Sequence, residues 1–220
     1  MTVFLQRILM YKSLMEDFMK TYNVSRETFK TLSDFVQILN EWQQKMNLVS
    51  HNSLPEIWTR HIADSLQLYQ YMNIDVKNVY DIGSGAGFPA IVLAIASAAE
   101  KRQAKFKLIE SITKKTLYLN DVKNKLGLKN IEIINDRSEN LKLPPADFVT
   151  ARAVANLNKL FSYCLPLSDK NTVLILPKGK TFLTEIEEAQ KFWKFDADIK
   201  KNSVQEDGVI LLVSNLRKKK

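Results

Sequence analysis

Three of the chain's six glycines, Gly83, Gly85 and Gly87, fall within five residues of the stretch DIGSGAGFP (81–89). Glycine loses more backbone entropy on folding than any other residue, so such a cluster marks a backbone that needs angles or clearance a Cβ would forbid. Just before it, Val79-Tyr80-Asp81-Ile82 reads as a short buried parallel strand. Just after it, Pro89 and the apolar run AIVLAIASAA (90–99) read as the start and body of a helix. Strand, glycine turn and helix bring backbone N–H groups and a helix N-terminus against a ligand. Asp81, Gly83, Ser84, Gly85, Gly87 and Phe88 are therefore the candidate ligand-binding residues. A tight turn that binds nothing is the plain alternative. Three alternating glycines, preceded by an acid two positions earlier, argue against it.

A dinucleotide-binding turn would read G-x-G-x-x-G, with an acidic residue ~20 positions further on. Here the spacing is G-x-G-x-G, and Phe88 stands where the third glycine of that fingerprint would be. The Asp-x-Gly-x-Gly-x-Gly form resembles motif I of the S-adenosylmethionine-dependent methyltransferases. The resemblance implies that the turn packs against the methionine part of that cofactor, and that an acid on the second strand holds the ribose hydroxyls. KFKLIE (105–110) fits, with Glu110 at the carboxyl end of an apolar strand. An ionised carboxylate, being acceptor-only, suits two hydroxyl donors.

The elements that position these residues follow from the pattern. Residues 1–72 read as helical. MTVFLQRILMYKSLMEDF is interrupted by Arg7, Lys12 and Glu16, so it reads as an amphipathic helix and not a signal peptide. Ser25 is a candidate N-cap for a helix through Lys45, with Phe29, Leu32, Phe35, Val36, Leu39 and Trp42 on its core face. Ser53-Leu54-Pro55-Glu56 has the form of a capping box, starting a helix to about Tyr71. From Val79 onward, strands near 79–82, 105–109, 130–134, 147–150 and 172–176 alternate with helices near 89–99, 114–126, 156–165 and 181–193. Two strands near 196–200 and 208–214 have only a turn between them, so they must pair antiparallel. The expected fold is α/β: a doubly wound, mostly parallel sheet ending in an antiparallel hairpin. A parallel sheet finished in this way resembles the Rossmann-like S-adenosylmethionine-dependent methyltransferase fold, here expected with an N-terminal helical segment (1–75) packed on the methyltransferase domain (76–220). RKKK (217–220) reads as a solvated basic tail.

Ligands of such sheets lie beyond the carboxyl ends of the strands. Those ends carry Lys114 and Lys115 after strand two, Asp136, Arg137, Ser138 and Glu139 after strand three, Arg152 after strand four and Lys178 at strand five. Cations converging on one cleft call for an anionic partner. A net charge of +8 agrees with a polyanion. The one cysteine, Cys164, excludes an internal disulfide, and no zinc-ligand spacing is present. The chain is expected to be a cytoplasmic monomer, with no membrane and no metal.

The combination MNLVS (46–50), EIWTRHIADSL (56–66), DIGSGAGFPAIVLAI (81–95), LIESITKK (108–115), DRSEN (136–140), TARAVANL (150–157) and LPKG (176–179) resembles the RsmG, or GidB, family of bacterial small-subunit ribosomal RNA methyltransferases. The resemblance covers roughly residues 42–180. It implies transfer of a methyl group from S-adenosylmethionine to N7 of a guanosine in the decoding-region loop of 16S ribosomal RNA, free or in the 30S subunit. Carried over onto matching positions, Gly83, Phe88, Ser138, Glu139 and Arg152 are cofactor contacts. Two positions depart from the family's pattern: Val49 replaces a threonine, and Ala90 replaces the glycine after Pro89.

The chemistry agrees. Guanine N7 is a lone-pair nucleophile without a proton, so its methylation needs alignment and electrostatics and no general base. The Asn/Asp-Pro-Pro-aromatic run of amino-group methylation is missing, since Ala151-Arg152-Ala153 stands there. Methylation at cytosine C5 needs a cysteine nucleophile, and Cys164 lies in an apolar helix. The alternatives are a non-catalytic RNA-binding assembly factor with a vestigial pocket, or a methyltransferase for another RNA or a small molecule. Asn47, His61, Arg137, Arg152 and Lys178 are the candidates for the reaction, and Arg60, Lys114, Lys115, Arg137 and Lys178 for RNA. Helical spacing puts His61, Asp64 and Ser65 on one face with Arg60 over Asp64. That face, with Asn47 and Ser50, is expected to close over the cleft.

Overall fold

The structure, a computed structural model, describes residues 15–219. Most of the expected N-terminal amphipathic helix lies outside the described residues; residues 15–22 are helical.

Seven strands form one sheet: β1 (Asn78–Ile82), β2 (Lys105–Ile109), β3 (Ile131–Ile134), β4 (Phe148–Thr150), β5 (Val173–Lys178), β6 (Trp193–Lys201) and β7 (Val209–Lys218). Their order is β3-β2-β1-β4-β5-β7-β6. The first five are parallel, and β7 is antiparallel to both β5 and β6. The short apolar strands between helices expected from sequence are these strands, and the antiparallel hairpin is present. The order reverses at β1, between β2 and β4, which makes the carboxyl ends of β1 and β4 the place for a ligand. β7 runs on to Lys218, so Arg217 and Lys218 pair with Lys194 and Trp193 in the sheet, not in a free tail. An extended backbone with a neighbouring strand to pair against overrides the run of charges.

Five helices flank the sheet: α1 (Arg26–Gln43), α2 (Ala90–Ala99), α3 (Thr113–Lys125), α4 (Leu157–Cys164) and α5 (Phe182–Gln190). Ser25 caps α1, accepting from Thr28 N–H at 3.1 Å. Gly127 follows α3 at φ +63°, the left-handed angle that ends a helix. α2 is buried through Ser97 because it is enclosed between the sheet and α1, as a helix apolar all round must be. Phe29, Leu32, Phe35, Val36 and Leu39 of α1 are buried in the same region of core, each contributing about 1.5–3 kcal/mol. Trp42 Nε1 donates to Asp121 Oδ2 at 2.7 Å, tying α1 to α3. The helices before β1 therefore share a hydrophobic cluster with one face of the sheet. α4 and α5 cover the other face, over Leu174, Leu176, Leu211 and Val213.

The helix before β1 differs from expectation. No capping box forms: Ser53 Oγ donates to Ser50 O at 2.9 Å, so its side chain faces back and not forward. A short turn at His51–Ser53 precedes a helical stretch that is π-wound over Trp58–Ala63, α over Asp64–Leu66 and 3₁₀ over Gln67–Tyr71. A π-wound turn within a helix is rare and concentrates at functional sites. Among the described residues no helix is long and apolar enough to cross a membrane.

Candidate functional site

The glycine turn leaves β1 with Gly83, Gly85 and Gly87 at φ +67°, +52° and +89°. Gly83 N–H donates to Ile109 O at 2.8 Å and Gly87 N–H to Ser84 O at 2.6 Å, which folds the turn back onto β2. The three glycines have different reasons. A Cβ on Gly83 would come within 2.7 Å of Val154 Cγ2. One on Gly87 would collide with Ile91 of α2, so Gly87 serves close packing of the turn on its helix, and it lines no cavity described here. One on Gly85 would meet only Gly83 O at 3.6 Å. Its space lies open, into the cleft that Gly85 itself lines.

Asp81 lies beneath the turn, 1% exposed. Its Oδ1 accepts from Thr150 Oγ1 at 2.7 Å, while Oδ2 is buried without a partner among the described residues. Burial pushes its pKa up to about 7 against the pull of the Thr150 hydroxyl. Glu110, at the end of β2, is aimed by backbone donors: Gly85 N–H reaches Oε2 at 3.0 Å, and Ile112 N–H reaches Oε1 at 2.8 Å. Turn and acid thus hold each other.

Two cavities meet at Gly83. One, of 360 Å³, is lined by Leu48, Val49, Ser50, Ser53, Arg60, His61, Ser84, Gly85, Ala86, Phe88, Lys115, Arg152, Ala153 and Gln205 as well as Gly83. The other, of 220 Å³, is lined by Ile82, Gly83, Ile109, Ser111, Asp136, Arg137, Ser138, Glu139, Val154 and Tyr163. An elongated ligand lying across the turn fits this pair of cavities. The partnerless oxygen of Asp81, directly beneath the turn, calls for a donor or cation such as the ammonium of a methionine moiety, whereas Glu110, whose two oxygens both accept from backbone N–H groups, lines neither cavity and braces the turn. The residues present thus fit S-adenosylmethionine. Its candidate residues Gly83, Ser84, Gly85 and Phe88 fall in the first cavity, Ser138 and Glu139 in the second, and Glu110 beside the turn.

Arg152 organises the wall of the larger cavity. Its side chain is 18% exposed, and it donates through Nη1 to His61 Nδ1 at 2.9 Å and through Nη2 to Arg60 O at 2.6 Å. Asp64 Oδ2 is 3.2 Å from Nη2, an ion pair with a carboxylate that is 1% exposed. An α-helical spacing would pair Asp64 with Arg60 and His61. The π-wound turn rotates these side chains apart, so Asp64 meets Arg152, and Arg60 lies 3.5 Å from Glu56. His61 packs on Phe88, ring centroids 4.8 Å apart. Burial, then Arg152 and Arg60, pull its pKa down to about 4, so the imidazole is neutral near pH 7. With Nδ1 accepting from Arg152, the proton resides on Nε2, which is buried without a partner among the described residues.

Other candidates fall elsewhere. Lys178 is 10% exposed, its Nζ 2.8 Å from Glu185 Oε2 and 3.3 Å from Ala155 O. Glu185 Oε2 also accepts from Leu157 N–H, so this pair ties the start of α4 to α5 and offers no free cation to a phosphate. Asn47 is exposed, accepts from Gln43 Nε2 at 3.1 Å and does not line the cavity, although its neighbours Leu48, Val49 and Ser50 do. Lys114 donates to Lys45 O at 3.2 Å, leaving Lys115 as the lysine at the cavity. Arg137 lines the smaller cavity, on the cofactor side. The sequence reading missed Gln205, which reaches the cavity from the β6–β7 loop and carries no local pattern to mark it. Among the described residues no group of three acidic, histidine or cysteine side chains could hold a metal ion.

Comparisons with known proteins agree with this fold. An O-methyltransferase from Bacillus cereus, solved in complex with SAH, superposes with a TM-score of 0.56 at 18% identity over 83% of this chain and 91% of that one. A SAM-dependent methyltransferase from Aquifex aeolicus superposes at 0.54 and 16% identity, over 73% and 92%. These likenesses establish the fold. The "Ribosomal RNA small subunit methyltransferase G" proteins of Rickettsia akari and Rickettsia prowazekii are 43% and 40% identical to this chain over 195 residues, covering 89% of it and 98% of each relative. The sequence model of the GidB family, described as rRNA small subunit methyltransferase G, matches residues 28–209. The chain belongs to the GidB family of rRNA small subunit methyltransferases.

Proposed function

We propose that this chain transfers a methyl group from S-adenosylmethionine to N7 of a guanosine in the decoding-region loop of 16S ribosomal RNA, working as a cytoplasmic monomer on the RNA or the 30S subunit. The observation that carries this reading is the character of the cleft beside the glycine turn. Arg60 and Lys115 supply positive charge at its rim, Arg152, paired with Asp64, and the neutral His61 form its wall, and no nucleophile–base pair is present among its lining residues. S-adenosylmethionine, when bound, supplies a sulfonium methyl, and an N7 lone pair needs no proton removed to attack it. The protein's task is alignment, exclusion of water and a fixed electrostatic setting. Phe88 backs the His61 ring and Arg152 fixes its tautomer, which leaves Nε2–H as a buried donor without a partner among the described residues. Cys164 is fully buried and its thiol is pushed up by burial, which removes it as a nucleophile.

The test combines labelled transfer with pH. Protein, labelled cofactor and 30S subunits or naked rRNA should give label in the RNA. The depressed His61 pKa means its charge changes only as pH falls toward about 4, so wild type and His61→Ala should show the same dependence of kcat on pH between 6 and 8, whatever Asp81 contributes there. His61→Ala should lower kcat about tenfold while leaving the cofactor Kd unchanged, the effect of one lost hydrogen bond. A titration near the ordinary histidine pKa that is present in the wild type and lost in His61→Ala would contradict the positioning role.

A further inference from the structure

The hairpin of β6 and β7 turns at residues 202–208, and its return sets Val209 beside Lys178 at the carboxyl end of β5. The loop therefore stands at the same edge of the sheet as the glycine turn and Arg152. Asn202 is its pivot. Oδ1 accepts from the backbone N–H groups of Val204 at 2.8 Å and Gln205 at 2.7 Å, and from Gln67 Nε2 at 2.9 Å. Nδ2 donates to Asp64 Oδ1 at 2.9 Å. Gln67 holds the loop from the helix side, its Oε1 accepting from Ser203 N–H at 2.9 Å and Oγ at 3.0 Å. Gly208 lets the turn close, because a Cβ there would come within 3.2 Å of Asn202 Nδ2 and Gln205 Cβ. The other oxygen of Asp64 faces Arg152. A chain of buried polar contacts thus runs from the loop backbone to the cation in the cleft wall.

Burying three polar side chains in this way is costly unless each is fully bonded, and a connection between two antiparallel strands does not require it. What the network fixes is the position of Gln205. Gln205 lines the 360 Å³ cavity with Ser84, His61 and Arg152, and its carboxamide makes no hydrogen bond among the described residues. A free carboxamide whose backbone is held by a buried side chain is a donor kept ready for a ligand. Guanine presents O6 as an acceptor next to N7, so a donor on O6 orients the base while leaving the N7 lone pair free.

We infer that Gln205 is a substrate-contacting residue that donates to O6 of the acceptor guanine, and that Asn202 is the residue that positions it. This rests on the guanine-N7 reading above. The test is a chemical cycle on reconstituted 30S subunits whose acceptor guanosine is either retained or replaced by 2-aminopurine, which keeps N7 and lacks O6. On guanine, Gln205→Ala should lower kcat/KM about tenfold with an unchanged Kd for S-adenosylmethionine, the scale of one hydrogen bond. On 2-aminopurine the wild type and Gln205→Ala should be equal. Asn202→Ala should reproduce the Gln205→Ala loss, and the double variant should lose no more than either, as expected of one coupled unit. Gln205→Ala leaves the Asn202 bonds to the backbone intact, so it stays informative if Asn202→Ala fails to fold. Equal activity of wild type and Gln205→Ala on guanine overturns the inference, as does a tenfold gap that persists on 2-aminopurine or a loss confined to cofactor affinity. A wild type that transfers no methyl to rRNA removes the parent reading, and the inference with it.

Discussion

Arg152→Ala is expected to abolish methyl transfer and to destabilise the fold by about 3–5 kcal/mol, the cost of leaving one member of a buried ion pair uncompensated. Asp64 is the member left behind: it is 1% exposed, and its Oδ2 faces only Arg152 across 3.2 Å. Two further losses accompany the charge. His61 Nδ1 loses its donor, so the tautomer that puts a proton on Nε2 is no longer enforced, and Arg60 O loses a donor at 2.6 Å. Arg152→Lys retains the charge yet cannot reach Asp64, His61 and Arg60 O together, because an ammonium lacks the planar fork. It should recover much of the stability and little of the activity. Thermal melts and single-turnover transfer on the two variants separate these effects. Wild-type turnover by Arg152→Ala would remove this residue from the mechanism.

Gly85→Val should lower affinity for S-adenosylmethionine by at least about a hundredfold while leaving a cooperatively melting protein. Gly85 sits at φ +52°, so any side chain there carries strain of about 1–2 kcal/mol. That strain alone does not unfold a domain of this size. Its Cβ meets no protein atom nearer than Gly83 O at 3.6 Å, so the side chain extends into the cavity and displaces ligand. Gly83 and Gly87 are poorer probes, since substituents there strike Val154 and Ile91 and confuse binding with packing. Calorimetric titration and a melt together decide the matter. Normal binding by Gly85→Val would place the cofactor elsewhere.

The parts of this account legible in the sequence are those set by local periodicity and backbone angles. Parallel strands buried on both faces read as short apolar runs, which is why β1, β2 and β5 were visible, and three glycines in five residues marked the turn. The apolar run of β2 places Glu110 at its carboxyl end, and there its carboxylate accepts from the backbone N–H groups of Gly85 and Ile112, contacts that no sequence pattern marks. What was hidden depends on which partner a side chain finds in three dimensions. Ser53-Leu54-Pro55-Glu56 satisfied the spacing of a capping box, yet Ser53 turned to Ser50 and the following turn wound as π, changing which side chains share a face. Lys178 sat at a strand end like the other cations and was neutralised by Glu185 on α5. Gln205 joins the cleft only because Asn202 and Gln67, far apart along the chain, meet.

The most direct test of the whole account is the identity of the methylated atom. Wild-type protein is incubated with labelled S-adenosylmethionine and 30S subunits or naked 16S rRNA that lack the modification, and the product is mapped by nuclease digestion and mass spectrometry. The account predicts label in 7-methylguanosine at one position, in the decoding-region loop. Label on an exocyclic amine, a ribose hydroxyl or another base, or cofactor binding with no transfer to RNA, would contradict it.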